Sequence, residues 1–348
     1  MALFNAPFLR KPGFRLTLVA FCVTVVVVAL GAFTRLVDAG LGCPDWPGCY
    51  GHLLWPIQEH NVIRANEIWP DNPVEHAKTW PEMVHRYFAG TLGLLVVAIV
   101  AVMWKRREDS DQPFRLPLFL LFVVVWQALF GMWTVTLKLW PQIVTLHLMG
   151  GMTVLSLVWL LVLRLDNQRW QLSAPLHVRS LKLRPWVLVC LVLVALQVML
   201  GGWTAANYAA YACVDFPTCH GDWWPAMDLA TGFDIFQTIG PNYLGGLLES
   251  DARVAIHYTH RIGALVVTLA LLALCVRLAM MRDRRFSRMA LVVLAALVWQ
   301  VGLGITNVLM HIPLSVAVLH NVGGGLLLLT LVTLACKLWT ATGEERPV

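Results

Sequence analysis

The sequence predicts an all-α integral membrane protein with eight transmembrane helices, folded as two four-helix bundles related by a pseudo-twofold axis. Three observations carry this prediction. The 348 residues are 58% hydrophobic and 13% charged, with a mean hydropathy of +0.68, a composition suited to lipid rather than water. Eight apolar runs are long enough to cross a hydrocarbon core, which takes about 20 helical residues. The second half of the chain also repeats the first over almost its whole length.

The runs fall at about residues 14–34, 83–104, 116–136, 142–163, 185–205, 254–277, 288–309 and 314–338. Arg10, Lys11 and Arg15 precede the first run as they would in a signal peptide. Its length, about 20 residues with no small-residue cleavage site, predicts a retained helix instead. Short cytoplasmic loops carry an excess of lysine and arginine. Here the N-terminal segment, the second, fourth and sixth loops and the C-terminal tail hold 19 of the 26 basic residues. Both termini are therefore expected on the cytoplasmic side of a bacterial-type inner membrane. The long loops at about 35–82 and 206–253, with 13 of the 20 acidic residues, are expected on the outer face. The net charge of +6 is then a topological signal and implies no nucleic-acid partner. Tryptophans near span ends, such as Trp80, Trp104, Trp140, Trp186 and Trp339, suit an interfacial belt.

Eight cysteines divide by location. Cys22, Cys190, Cys275 and Cys336 lie in apolar spans and are expected to be small core residues. Cys43, Cys49, Cys213 and Cys219 lie in the two outer loops, where disulfides are permitted, and pairing within each loop is expected.

The repeat has a constant offset of 170 in its first block. GAFTRLVDAGLGCPDWPGCYG from Gly31 matches GGWTAANYAAYACVDFPTCHG from Gly201, with Gly31, Thr34, Cys43, Asp45, Pro47, Cys49 and Gly51 recurring. WQALFG from Trp126 recurs as WQVGLG from Trp299, and the same offset of 173 brings His147 onto His320. The HR pair at His85 and Arg86 recurs at His260 and Arg261. Four spans per unit give both halves the same orientation, which predicts a pseudo-twofold axis along the membrane normal. The halves are taken as residues 1–180 and 181–348.

Of eleven histidines, His52, His60, His76, His177 and His220 fall in polar loops and His311 at a turn. His85, His147, His257, His260 and His320 lie in or at the start of apolar spans, where ionisable groups are rare and tend to be functional. His85 and His260 open the second and sixth helices, while His147 and His320 lie a few residues into the fourth and eighth. All four then occupy one layer within about 10 Å of the outer face. A pair on alternate helices can approach a flat macrocycle from both sides, and neutral imidazole is a good axial ligand for haem iron. Gly150, Gly151, Gly323, Gly324 and Gly325 would let a flat ring lie close to backbone. Two ligands per half do not complete a closed zinc site. His257 has no histidine counterpart and is either a substitute ligand or a supporting group.

Glu82 breaks the symmetry. It precedes His85 by one helical turn, whereas the aligned residue in the second half is His257. A carboxylate beside a haem could take or deliver protons; it could equally be an acid favoured by the first turn of its helix. Arg86 and Arg261 suit haem carboxylates or could anchor helix ends at the interface.

GLGCPDWPGC after an N-terminal helix, then ExxHR, then paired histidines on alternate helices with a duplicated second half, resembles the haem A synthase family over about residues 14–338. The resemblance implies oxidation of the C8 methyl of haem O, through a hydroxymethyl intermediate, to the formyl of haem A for haem-copper terminal oxidases. It implies that His85 and His147 accommodate the substrate haem and that His260 and His320 hold a haem b that passes electrons. Glu82 becomes the candidate acid/base or water-positioning group. Cys43 with Cys49, and Cys213 with Cys219, match the family's cysteine positions, in a stabilising or a redox role. Candidate partners are haem O synthase, terminal oxidase assembly factors and a second copy of the chain, and the electron donor is not identified. Two other classes fit parts of the pattern. A di-haem b-type cytochrome explains the four histidines without Glu82 or the cysteines, and a haem transporter or chaperone explains the repeat but predicts weaker ligation.

Overall fold

The computed structural model describes residues 10–109 and 112–344. The outermost ends of the two halves drawn from the sequence, 1–9 and 345–348, lie outside the described residues. Eight long apolar helices dominate: α1 (Phe14–Leu36), α2 (His76–Trp104), α3 (Arg115–Thr136), α4 (Pro141–Asp166), α5 (Arg184–Ala206), α6 (Ser250–Ala279), α7 (Arg284–Leu309) and α8 (Leu314–Trp339). Each is long and apolar enough to cross a membrane. Their outward faces keep large apolar side chains exposed, Leu94 at 74%, Leu291 at 67% and Val298 at 64%. Such surfaces have no place in water but match lipid, and the chain is a multi-pass membrane protein.

Helices α2 and α6 start earlier than their apolar runs. The sequence reading began α2 beyond Pro81, yet the helix already runs from His76. Pro81, the sixth residue of α2, has no N–H to give the Ala77 carbonyl, yet the helix runs on through it. His85 and His260 therefore lie more than two turns inside their helices rather than opening them. His60 and His177 also lie on short helices, Glu59–Ile68 and Ala174–Leu181, not in irregular loops.

In the first half α1 packs on α2, α2 on α3, α3 on α4 and α4 back on α1, closing a four-helix ring; α5, α6, α7 and α8 do the same in the second. Between the halves α1 meets α8, α4 meets α5, and α4 meets α8. Several residues at this seam touch their own counterpart in the other repeat. The Arg35 guanidinium donates to the Ala205 carbonyl, the Tyr208 hydroxyl donates to Asp38 at 2.8 Å, and a Cβ on Gly325 would sit 3.3 Å from Met152 Sδ. At the opposite end, β1 (Gln171–Ser173), in the connection between the halves, pairs in parallel with β2 (Thr342–Glu344), which follows α8.

The packed interior sits toward that strand-bearing end. One cluster joins Leu92, Val96, Ile99 and Met103 of α2 to Val154, Val158, Leu161 and Leu165 of α4. The other joins Val187 and Val194 of α5, Val267, Leu271 and Leu274 of α6, and Leu327, Leu331 and Leu334 of α8. Cys190, Cys275 and Cys336 are buried as expected, but Cys22 is exposed, because α1 turns that face away from its neighbours. Gly325→Leu should overpack the seam and lower the thermal midpoint of the detergent-solubilised protein, the penalty being about 1–3 kcal/mol. Gly302→Ala, inside α7 where an added Cβ meets nothing within 4 Å, should not lower the midpoint, as read by intrinsic tryptophan fluorescence.

Candidate functional site

The buried core stops two helical turns short of the histidines on all four helices that carry them. Leu92, Val154, Val267 and Leu327 are its first members within each bundle, each seven residues after His85, His147, His260 or His320. The imidazoles therefore share one level above a filled interior. In the first half the rings of His85 and His147 face each other with centres 6.5 Å apart and planes at 90°. An iron between them with two metal–imidazole bonds of about 2 Å requires roughly this separation. The Nδ1 atoms of His85, His147 and His320 are buried without a partner, while His85 also hydrogen-bonds the Val27 backbone on α1. His260 lies within electrostatic reach of His257 and His320. Among the described residues no three or more His, Cys, Asp or Glu side chains gather into a bare-metal site. The donor set, the spacing and the unpartnered nitrogens fit bis-histidine haem ligation.

Each imidazole is seated edge-on against a glycine of the preceding long helix. An added Cβ would lie 3.0 Å from His85 Cε1 at Gly31, 3.4 Å from His147 Cε1 at Gly131, 3.2 Å from His260 Cε1 at Gly201 and 3.1 Å from His320 Cε1 at Gly304. Three glutamines, one turn before three of these glycines, reach the histidine helices. Gln197 Nε2 donates to the His260 carbonyl at 2.9 Å and lies 3.1 Å from its Nδ1. Gln300 Nε2 donates to the His320 carbonyl at 3.1 Å. Gln127 Nε2 lies 1.6 Å from where a Gly150 Cβ would stand. Gly150 and Gly323, expected to lie against a macrocycle, instead receive glutamine side chains, and Gly325 faces the other half. Sequence reasoning missed the glutamines and the glycine seats, although WQALFG and WQVGLG had already singled out Gln127, Gly131, Gln300 and Gly304 as a repeated element.

Glu82, 4% exposed, points its carboxylate toward the first disulfide loop. One oxygen pairs with Arg86 and the other accepts from the Cys43 N–H at 3.0 Å. Arg86 also donates to the carbonyls of Asp45 at 2.9 Å and Gly48 at 2.5 Å. Arg261 donates to Asp215 O at 2.8 Å, Thr218 O at 2.7 Å and Cys213 O at 3.1 Å. Both arginines thus clamp loops. His257, buried at 5% exposure, stands where the first half has Glu82.

The loops are near copies. Disulfides join Cys43 to Cys49 and Cys213 to Cys219, and each loop contains a cis X-Pro bond, Trp46–Pro47 and Phe216–Pro217. Asp45 accepts from the N–H groups of Tyr50 at 2.6 Å and Gly51 at 2.8 Å. Asp215 accepts from His220 N–H at 2.7 Å, Gly221 N–H at 2.9 Å and Thr218 Oγ1 at 2.6 Å. Tyr50 and His220 take positive φ there. The hydrogen bond from Thr218, then that from Gly221, holds the Asp215 carboxyl below the usual carboxylate range.

An all-α membrane protein with four buried histidines at one level, two in each bundle, and a disulfide loop clamped by the arginine that follows His85 and His260 is the class this geometry defines. Residues 14–332 match the COX15-CtaA family, described as cytochrome oxidase assembly protein, and the chain belongs to that family. A "Heme A synthase" of Shewanella oneidensis is 46% identical over 93% of this chain and 95% of its own length. Another, of Caulobacter vibrioides, is 29% identical over 92% and 93%.

Because removing one member of a buried ion pair strands the other, at a cost of about 3–5 kcal/mol, Arg86→Met should lower the folded yield more than Glu82→Gln, read by size-exclusion chromatography. A carboxyl held below its ordinary value contributes stability that is present above that value, 3.8, and lost as the pH falls through its folded-state value. The 213–222 loop should therefore keep its hydrogen-exchange protection through pH 4 and lose it only in stronger acid, whereas Asp215→Asn should lose protection already at neutral pH.

Proposed function

We propose that this chain makes haem A by oxidising the C8 methyl of haem O to a formyl group, for haem-copper terminal oxidases. The observation that carries this is the facing His85–His147 pair in a member of this family, set beside an acid that the duplicated site does not have. Residues 1–180 accommodate haem O between His85 and His147. Residues 181–348 hold a resident haem b through His260 and His320. Haem b, when bound there, supplies one-electron chemistry.

The chain's own residues provide position, proton handling and closure. His85 and His147 would hold the substrate haem between α2 and α4. Glu82, one turn from His85, is the acid/base or water-positioning group for protons released as the methyl is oxidised. Its pairing with Arg86 and the Cys43 N–H ties that group to the loop above the site. Arg86 and Arg261 act as loop anchors, which favours the helix-end role over a grip on haem carboxylates. The halves are related by a pseudo-twofold axis, a reading supported by the seam contacts between repeat counterparts. Both termini are cytoplasmic in a bacterial-type inner membrane, the basic loops lying at the strand-bearing end and the disulfide loops outside. Haem O synthase, oxidase assembly factors and a second copy of the chain are the candidate partners.

Haem extracted from cells lacking the protein should contain haem O and no haem A, and restoring the gene should restore haem A. Identical chromatograms with and without the protein would sink the reading. Glu82→Gln should cut haem A formation by about 100-fold or more while the purified variant still binds both haems, and undiminished conversion would remove Glu82 from the chemistry.

A further inference from the structure

The four histidine seats are built from four helix pairs, α1 with α2, α3 with α4, α5 with α6, and α7 with α8. In each pair the first helix supplies the seating glycine and the second supplies the histidine. Three of the pairs share two further residues: a glutamine four positions before the seating glycine, and a glycine three positions after the histidine. These are Gln127 with Gly150, Gln197 with Gly263, and Gln300 with Gly323. The two residues are mutually required. A Cβ would stand 1.6 Å from Gln127 Nε2 at Gly150, 2.2 Å from Gln197 Oε1 at Gly263 and 2.4 Å from Gln300 Oε1 at Gly323. In the α1–α2 pair both positions change together, to Val27 and Phe88, and His85 is hydrogen-bonded to the backbone of Val27 instead.

We propose that Gln127, Gln197 and Gln300 are positioning residues that lock the helical turns bearing His147, His260 and His320, and that the absence of this amide at His85 makes His85 the releasable ligand through which one haem is exchanged. The inference rests on the functional reading above, since only a substrate haem must enter and leave. A helix carbonyl has a second lone pair beyond the one used within the helix. At His260 and His320 that acceptor takes a bond from the neighbouring helix. The bond fixes the turn, and the amide packed over the glycine blocks the ring from swinging away. Outer partners of metal-bound histidines act in this way, and their loss costs about 10–100-fold in affinity. In the second half both histidines are locked, which suits a group that stays. In the first half the Gln127 amide packs over the turn that bears His147, whereas the His85 turn receives no amide and its ring is held only by the Val27 backbone, so a haem can be held by His147 while His85 lets go.

The test is haem release from the purified full-length protein, carrying its two haems in detergent, to an excess of apomyoglobin, followed in the Soret band. The wild type should release one haem quickly and retain the other. Gln197→Val should speed the slow phase by about tenfold or more. The double variant Val27→Gln with Phe88→Gly should slow the fast phase by a similar factor; it removes no native hydrogen bond, so it tests the idea even if Gln197→Val fails to fold. A single release phase in the wild type, or phases indifferent to these substitutions, would overturn the proposal. If the phases respond as expected in a protein that makes no haem A, the functional reading fails and the ligand asymmetry stands. If haem A is made and the phases do not respond, the asymmetry alone fails.

Discussion

Four imidazoles buried at one level of an apolar bundle constrain everything around them, because each needs room, orientation and a use for its nitrogens in a solvent that offers none. Room comes from a glycine on the adjoining helix, so close at Gly31, Gly201 and Gly304 that a methyl there would press on the ring edge. Orientation comes from the helix that bears the histidine, anchored below by a core beginning two turns further on. The unpartnered Nδ1 atoms show that the helices alone do not satisfy these groups. Solid packing of buried apolar side chains begins two turns beyond the histidines, toward the far end of each bundle.

Above that level the two loops solve a different problem. Five residues between half-cystines cannot bury much apolar surface, and their main-chain carbonyls would be stranded near a hydrophobic boundary. The arginine that follows each α2 or α6 histidine takes several of those carbonyls at once. An aspartate inside the loop takes the N–H groups. Each histidine is thereby joined covalently, through one peptide unit, to the clamp that closes its own site. In the first half Glu82 enters the same network, so the distinguishing acid and the loop cannot move independently.

The spans, the duplication and the histidine level were legible because each leaves a periodic mark: apolar length, fixed offset, matched depth. The disulfide pairing was legible from proximity in the chain. What the arginines do was not, because their acceptors are main-chain carbonyls, which every residue has and no letter of the sequence reports. The early start of α2 was hidden by Pro81, a residue that usually marks a boundary but that this helix runs through. Cys22 was misjudged because an apolar residue in a membrane helix faces lipid as readily as core. The glutamines stood in plain view inside WQALFG and WQVGLG, yet only the depth of Gly150 and Gly323 beneath their amides explains why the two residue types travel together.

The parallel ladder of β1 with β2 has a consequence in time as well as in space. Its two strands are 171–173 and 342–344, so the first is made before any of the second bundle and the second only after α8. Lys337 also reaches back to the Gln168 carbonyl at 2.5 Å. During synthesis the halves can enter the bilayer one after the other, each already a closed ring of four. The clasp between them forms last, when the ribosome has delivered the segment beyond α8. Assembly thus ends with a lock at the face opposite the histidine level, leaving that level open while the second bundle is still arriving.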